Sequence, residues 1–394
     1  MKTNETWLLP QGIEEALPAE AAKLETLRRQ ILDVYANWGY QLVIPPTVDY
    51  LDSLLTGTGY DLDIQTFKLI DQMTGKSLGI RADMTPQVAR IDAHHLKTEI
   101  SRLCYIGTVL HTRPDGFAGT RSPIQVGAEL YGHAGVDSDV EVIELMLRTL
   151  SMAGLDQVYL DLGHVGIYRS LAKQAGLNQQ QEAQLFDMMQ RKALPEISEF
   201  VVSEKLDNDV AKMLLALPDL NGGEKTIDQA MTALSAATDD VLQALDYLKQ
   251  VTRLLQSRVP NIILHFDLAE LRGYRFHTGV VFTAFVPGQG QEVARGGRYD
   301  EIGEIFGRSR PATGFSTDLK SLINLGKQAE AEQINGILAP SDTGAELQAL
   351  IETLRAAGEC VIRLLPGQQS GAAAMNCNRV IQKTDDKWHV VEAN

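Results

Sequence analysis

Ile124-Gln125-Val126-Gly127-Ala128-Glu129-Leu130-Tyr131 reads as a strand that carries an amide and a carboxylate four residues apart on one face. Gly127 and Ala128 leave room above the backbone, a shape suited to a small polar ligand. Further strand signals lie at Lys68–Asp71, Leu78–Arg81 and Leu103–Leu110 on one side of it, and at 158–162, 262–268, 279–286 and 291–295 on the other. Strands in a run, joined by hairpin-like connections rather than regular crossover helices, predict an α+β fold built on an antiparallel sheet flanked by helices.

Helices frame this sheet. Ala21, Leu24, Leu27, Ile31, Val34, Tyr35 and Trp38 recur at helical spacing and stop at Gly39. Ser138-Asp139-Val140-Glu141 reads as a capping box opening a helix through Val140, Ile143, Leu147 and Leu150. From about 166 to 258 the text turns glutamine- and alanine-rich and helical, which predicts an insertion between a first core segment (1–165) and a second (259–326). Beyond it, 327–394 reads as a small α/β unit: strand at 336–338, helix at 343–357, strand at 360–364.

Two other segments are rich in polar groups. Arg81-Ala82-Asp83-Met84-Thr85-Pro86 puts a carboxylate and a hydroxyl two apart, able to hold an ammonium group if extended; a turn or helix cap before Pro86 is the plain alternative. Leu271 to Gly279 concentrates Arg272, Tyr274, Arg275, Phe276 and His277 before a strand, where an arginine could pair a carboxylate bidentately or the whole could be a charged loop. Gln125 and Glu129 could equally lie on a solvated strand face. Cys104, within an apolar strand, reads as core, and His94-His95 as helix surface.

Composition narrows the function. With 51 acidic against 36 basic residues the formal charge is -15, which disfavours binding to polyanions such as tRNA. Apolar runs fall far short of the roughly 20 residues of a membrane-spanning helix, and no basic segment followed by an apolar run marks a secretory signal. Three widely spaced cysteines, Cys104, Cys360 and Cys377, fit a reducing cytoplasm. No dinucleotide, P-loop or zinc-protease fingerprint occurs, so neither cofactor nor metal is expected.

Over nearly all of residues 5–325 the chain resembles the histidyl-tRNA synthetase core of the class II aminoacyl-tRNA synthetases. Gly39-Tyr40 with Pro46 looks like motif 1, whose proline lies at the dimer interface in that class. Arg81 to Thr85 resembles the strand bearing Arg-Pro-Glu-Gly-Thr, Tyr105-Ile106-Gly107 opens what looks like motif 2, and the resemblance continues through Arg121, Gln125 and Glu129. Arg272-Gly273 resembles the start of the histidine-specific Arg-Gly-Leu-Asp-Tyr-Tyr signature, and Gly296-Gly297-Arg298-Tyr299-Asp300 a turn lining the same pocket. The resemblance implies a histidine site in which Asp83, Thr85 and Glu129 take the α-amino end, Gln125 and Arg272 lie near the carboxylate, and Tyr274 and His277 fall in the segment that meets the imidazole. Tyr274 and Arg275 stand where that signature has leucine and aspartate.

Other departures bear on catalysis. His111 occupies the position of the motif 2 arginine that grips the α-phosphate of ATP, and Ser321 that of the motif 3 arginine, with Asp318 nearby. A neutral imidazole does not replace a guanidinium fork, and losing each such cation costs several kcal/mol of phosphate stabilisation. The unit after 327 is shorter than an anticodon-binding domain. Thr112-Arg113-Pro114-Asp115-Gly116, Gly127-Ala128-Glu129-Leu130 and His277-Thr278-Gly279-Val280-Val281-Phe282 are similar to the regulatory subunits of ATP phosphoribosyltransferase, the first enzyme of histidine biosynthesis. That resemblance implies a non-catalytic subunit, a short-form catalytic partner, self-association as a synthetase-like dimer, and free histidine as effector.

Overall fold

Pro18 opens the first helix, where a residue without an N–H is tolerated because the first turn offers it no intrahelical acceptor. Leu24, Leu27, Ile31 and Tyr35 then form the buried face of α1 (Pro18–Asn37), and Gly39, at φ +81°, turns the chain out of it. The computed structural model describes residues 8–55, 60–114, 119–271, 273–274, 276–304, 306–326 and 336–393, with the backbone alone at 60 and 61. After α1 come β1 (Gln41–Leu42), β2 (Val48–Tyr50), α2 (Leu51–Leu55), α3 (Tyr60–Gln65), β3 (Phe67–Ile70) and β4 (Ser77–Ile80). They are followed by α4 (Thr85–His95), β5 (Ser101–Thr108), β6 (Ile124–Tyr131), α5 (Val136–Met152) and β7 (Tyr159–His164).

A run of helices intervenes: α6 (Val165–Gln174), α7 (Gln179–Gln190), α8 (Leu194–Ser203), α9 (Asn208–Ala216), a two-residue β8 (Asn221–Gly222), α10 (Lys225–Ala233) and α11 (Asp239–Arg258). The sheet then resumes with β9 (Ile263–Asp267), β10 (Val280–Phe285), β11 (Ala294–Arg298) and β12 (Ala312–Asp318), and α12 (Leu319–Leu325) follows. The strands order as β1-β5-β6-β12-β11-β10-β7-β9-β8, and β2-β4-β3 form a separate small sheet. Six central strands, β5 to β7 in that order, pair antiparallel, while β1 with β5 and β7 with β9 pair parallel at the flanks.

The alternation of β6 separates the two faces of the sheet. Val126, Ala128 and Leu130 join the large core formed with α1, α5, α11 and the intervening helices. On the opposite face, Tyr131 joins Met84, Val88, Leu103, Tyr105 and Tyr299 in a smaller core. Gln125, Gly127 and Glu129 share that second face by the strand's period of two. It is the face on which the polar residues gather.

Several local readings are corrected. Ser138 does not cap α5: Gly135 is the N-cap, and the Ser138 hydroxyl, inside the first turn, donates back to Gly135 O at 2.7 Å. Asp83 and Thr85 do not lie on a strand, because β4 ends at Ile80 and Thr85 already begins α4 with Pro86 behind it. The plain alternative, a turn before Pro86, describes them better. The strand expected at 291–295 lies at Ala294–Arg298, after a loop around Gly288 at φ +79°.

Residues 328–394 are a second compact unit. In it β13 (Gly336–Ala339), α13 (Ala345–Ala356) and β14 (Val361–Arg363) are joined by a hairpin, β15 (Cys377–Thr384) and β16 (Lys387–Glu392), in the order β14-β13-β15-β16. Ile337, Ala339, Leu347, Ile351, Val361 and Ile381 are its core. The hairpin has weak apolar alternation and turns through Asp385-Asp386, both at positive φ, rather than through a glycine.

Candidate functional site

Glu129, 1% exposed, is the centre of the polar cluster. Thr85 Oγ donates to its Oε1 at 3.1 Å and the Tyr105 hydroxyl at 2.9 Å, while the Tyr299 hydroxyl donates to Oε2. Burial pushes the carboxyl up to about 8, against these hydrogen bonds and with added repulsion from Asp83. Asp83 lies at the rim: its Oδ1 accepts from Thr85 N at 2.9 Å and from Gln125 Nε2 at 2.7 Å, and Gln125 Oε1 accepts from Met84 N at 2.9 Å. The loop before α4 is thereby stapled to β6. Asp83, Thr85, Gln125 and Glu129 are all brought together. Neither Asp83 nor Glu129 forms an ion pair with a cation among the described residues.

Small residues make this geometry possible. The Tyr105 ring lies over Gly127, its strand partner, where a Cβ would collide with it. Gly314 pairs with Glu129, and a Cβ there would run into the carboxylate. Gly314→Ala is expected to cost about 1–3 kcal/mol, the usual penalty of overpacking a filled interior, read as a lowered urea midpoint with Ser316→Ala as control.

His277 approaches from the far side of the same floor. Gly297 is the partner of Gly314, and a Cβ on it would stand 2.8 Å from His277 Nδ1. Burial lowers the imidazole to about 4, against the Arg298 backbone, so it is neutral at physiological pH, and Nδ1 is buried with no partner at full hydrogen-bond geometry among the described residues. Between the two halves, Phe276 stacks on Tyr299 with centroids 4.9 Å apart and meets His277 edge-on at 5.3 Å. A buried acid and a neutral imidazole thus flank an aromatic-walled site.

Tyr274, in the same loop, is placed differently. Its ring packs between Tyr168 and Phe186, its hydroxyl donates to Glu182, and the Arg169 guanidinium lies 5.0 Å from its centroid. Arg272, with Arg275 beside it, lies outside the described residues. Tyr105 was missed as a site residue, and Tyr299 was read only as part of a turn lining the pocket. For Tyr105 the signal was Gly127, a small residue in an otherwise well-formed strand over which the ring lies.

His111 and Ser321 are both turned to local structure. His111 Nε2 donates to Ala82 O at 2.9 Å, and its Nδ1 is buried without a partner among the described residues. The Ser321 hydroxyl donates to Asp318 Oδ2 at 2.7 Å, and Asp318 caps α12 by accepting from Lys320 N and Ser321 N. Among the described residues no group of three or more His, Cys, Asp or Glu could hold a metal, and no helix is long and apolar enough to cross a membrane.

A six-strand antiparallel sheet with helices packed on it is the architecture of the class II histidyl-tRNA synthetases. The family model for histidyl-tRNA synthetase matches residues 12–322, and that for the ATP phosphoribosyltransferase subunit HisZ C-terminal domain matches 334–391. Histidyl-tRNA synthetase from Nostoc sp. PCC 7120 shares the fold at TM-score 0.75 and 17% identity, covering 98% of this chain and 97% of that one. A protein from Bacillus halodurans C described as an ATP phosphoribosyltransferase regulatory subunit/histidyl-tRNA synthetase superposes at TM-score 0.84 and 28% identity, over 96% and 99% of the two chains.

Curated relatives narrow the class. The ATP phosphoribosyltransferase regulatory subunit of Thioalkalivibrio sulfidiphilus is 58% identical over 100% of both chains. That of Alkalilimnicola ehrlichii is 56% identical over 96% of this chain and 95% of its own length. The chain belongs to the ATP phosphoribosyltransferase regulatory subunit family, whose members are named as regulatory rather than catalytic subunits.

Proposed function

We propose that the chain activates a short-form ATP phosphoribosyltransferase catalytic subunit in the cytoplasm and carries histidine feedback to it, itself catalysing nothing. The carrying observation is the pair of carboxylates, Glu129 and Asp83, that meet no cation among the described residues. A buried acid held by three hydroxyls is poorly stabilised as an anion until an ammonium arrives. The α-amino group of free histidine supplies that charge. Its imidazole then reaches the neutral His277, and Gln125, with Arg272 by family resemblance, attends the carboxylate. Tyr274, fixed against Glu182, orients this loop rather than touching the ligand.

The two positions where synthetases hold phosphate carry His111, bonded to Ala82 O, and Ser321, bonded to Asp318. Neither offers a fixed cation to a triphosphate, and the charge of -15 adds nothing for tRNA. Leu42, Ile44, Val48, Tyr50, Leu69, Ile70 and Met73 are exposed around β1 and the small sheet, with Ile44 at 84% and Met73 at 94%. Apolar exposure of this kind supports an interface between two copies of the chain, beside the Pro46 segment that resembles motif 1.

The expected result of mixing the purified chain with a short catalytic subunit is a faster phosphoribosyl transfer that histidine inhibits. Sedimentation reads a dimer for the chain alone and a heavier hetero-oligomer for the mixture. Histidine-dependent ATP–pyrophosphate exchange by the chain alone, or an unchanged rate with no co-sedimentation, overturns the proposal.

A further inference from the structure

The loop between β9 and β10 faces two ways. Phe276 and His277 point into the site, against Tyr299 and over Gly297. Tyr274, two residues earlier, is gripped by α6 and α7 of the helical insertion. Tyr168 and Phe186 enclose its ring with centroids 5.3 and 5.2 Å away, and Glu182 accepts its hydroxyl. Arg169 completes the grip: its Nη2 donates to Tyr274 O at 3.0 Å and to His277 O at 3.1 Å. Tyr168 OH donates in turn to Glu182 O at 2.9 Å, joining α6 to α7.

These contacts are of a kind that holds a backbone in one position. Arg169 reaches the carbonyls on both sides of Phe276, so that residue and His277 cannot shift without breaking a charge-assisted hydrogen bond. The hydroxyl of Tyr274 is tied to a carboxylate that belongs to α7, 92 residues earlier in the chain. Any ligand that moves or orders the His277 side of the loop therefore acts on α6 and α7.

We infer that Tyr274, Arg169 and Glu182 form a latch through which occupancy of the acid-centred site is transmitted to the helical insertion. The inference rests on the proposed reading of that site as one for a free amino acid bearing an imidazole. Coupling of this sort is reciprocal: a partner that binds the insertion and alters the latch changes histidine affinity by the same factor. Arg169, Glu182 and Tyr274 are positioning residues, acting on the ligand only through the loop.

The test uses the full chain and L-histidine. Calorimetry first reads binding to the unaltered chain, and hydrogen exchange then reads protection across 165–190 with and without histidine. Added protection there is expected, to be lost in Tyr274→Phe and Glu182→Gln, which keep ring and size. Arg169→Gln should weaken histidine about tenfold, a loss of about 1.4 kcal/mol. Histidine that binds the unaltered chain and leaves exchange over 165–190 unchanged overturns the latch while the site stands. Histidine that does not bind the unaltered chain overturns the site reading and the latch with it. Protection that survives in both Tyr274→Phe and Glu182→Gln overturns the role of the hydroxyl–carboxylate contact.

Discussion

Glu129→Gln should lower the affinity for histidine about a hundredfold at pH 8 and leave the fold intact. The amide keeps the size of the side chain but cannot carry the charge that answers an ammonium, and losing one member of a buried charged pair costs about 2–5 kcal/mol of binding. The fold tolerates the change because Glu129 is itself neutral in the free protein at neutral pH, with its carboxyl raised to about 8. The surrounding hydroxyls of Thr85, Tyr105 and Tyr299 reorient their hydrogens to suit an amide.

The pH dependence has a definite sign. The folded carboxyl titrates near 8 and the unfolded one near its ordinary 4.5. Its contribution to stability is therefore fully present below about 4.5 and is lost as pH rises to about 8. Glu129→Gln should gain stability relative to the parent over that window, read by urea unfolding at pH 5 and pH 8. Histidine binding to the parent near pH 7 should release close to one proton, measured by calorimetry in two buffers of different ionisation enthalpy, and the variant should release none. A variant that binds as tightly as the parent would remove Glu129 from the site.

Arg298→Met should be the most damaging single change to stability, at about 3–5 kcal/mol. Arg298, with its side chain 6% exposed, meets Asp139, at 0%, through Nη2–Oδ1 at 2.8 Å and Nε–Oδ2 at 3.2 Å. It also donates to Ser138 Oγ at 2.9 Å and His133 O at 3.1 Å, while Tyr247 of α11 donates to Asp139. One guanidinium thus joins β11, the start of α5 and the helical insertion. Removing it leaves Asp139 as a buried, uncompensated carboxylate. Arg298→Met combined with Asp139→Leu should recover much of the loss, since an apolar pair of similar volume often equals a buried ion pair. Urea midpoints of the two single variants and the double variant give the coupling directly.

Much of the site was legible where its geometry is local. Gln125 and Glu129 share a strand face because side chains alternate along β6, and Asp83 and Thr85 lie close because they are two residues apart. The conformation of that pair was harder to read. A carboxylate and hydroxyl spaced by one residue suit a strand or the turn before a helix, and Pro86 behind them favours the turn actually formed. Ser138 misled for a similar reason: a serine three residues before a glutamate makes a capping box only at a helix start, and here Gly135 already opens α5. Tyr274 reads in sequence as one of several aromatic residues near a pocket, and nothing local says that it turns toward α7 instead.

The amino-acid order by itself determined most of the central strands, the helical character of 166–258, the shared face of the acid and amide of β6, and the absence of arginine at His111 and Ser321, since each depends on residue type and short-range periodicity. Tertiary structure decided which distant groups meet. Ile124 and Asp318, 194 residues apart, are joined by a hydrogen bond, and the same pairing of β6 with β12 sets Gly314 against Glu129. Tyr299 reaches Glu129 across 170 residues, and Tyr274 reaches Glu182 across 92. Such contacts follow from strand register and helix packing, which the whole chain settles together as it buries its apolar faces.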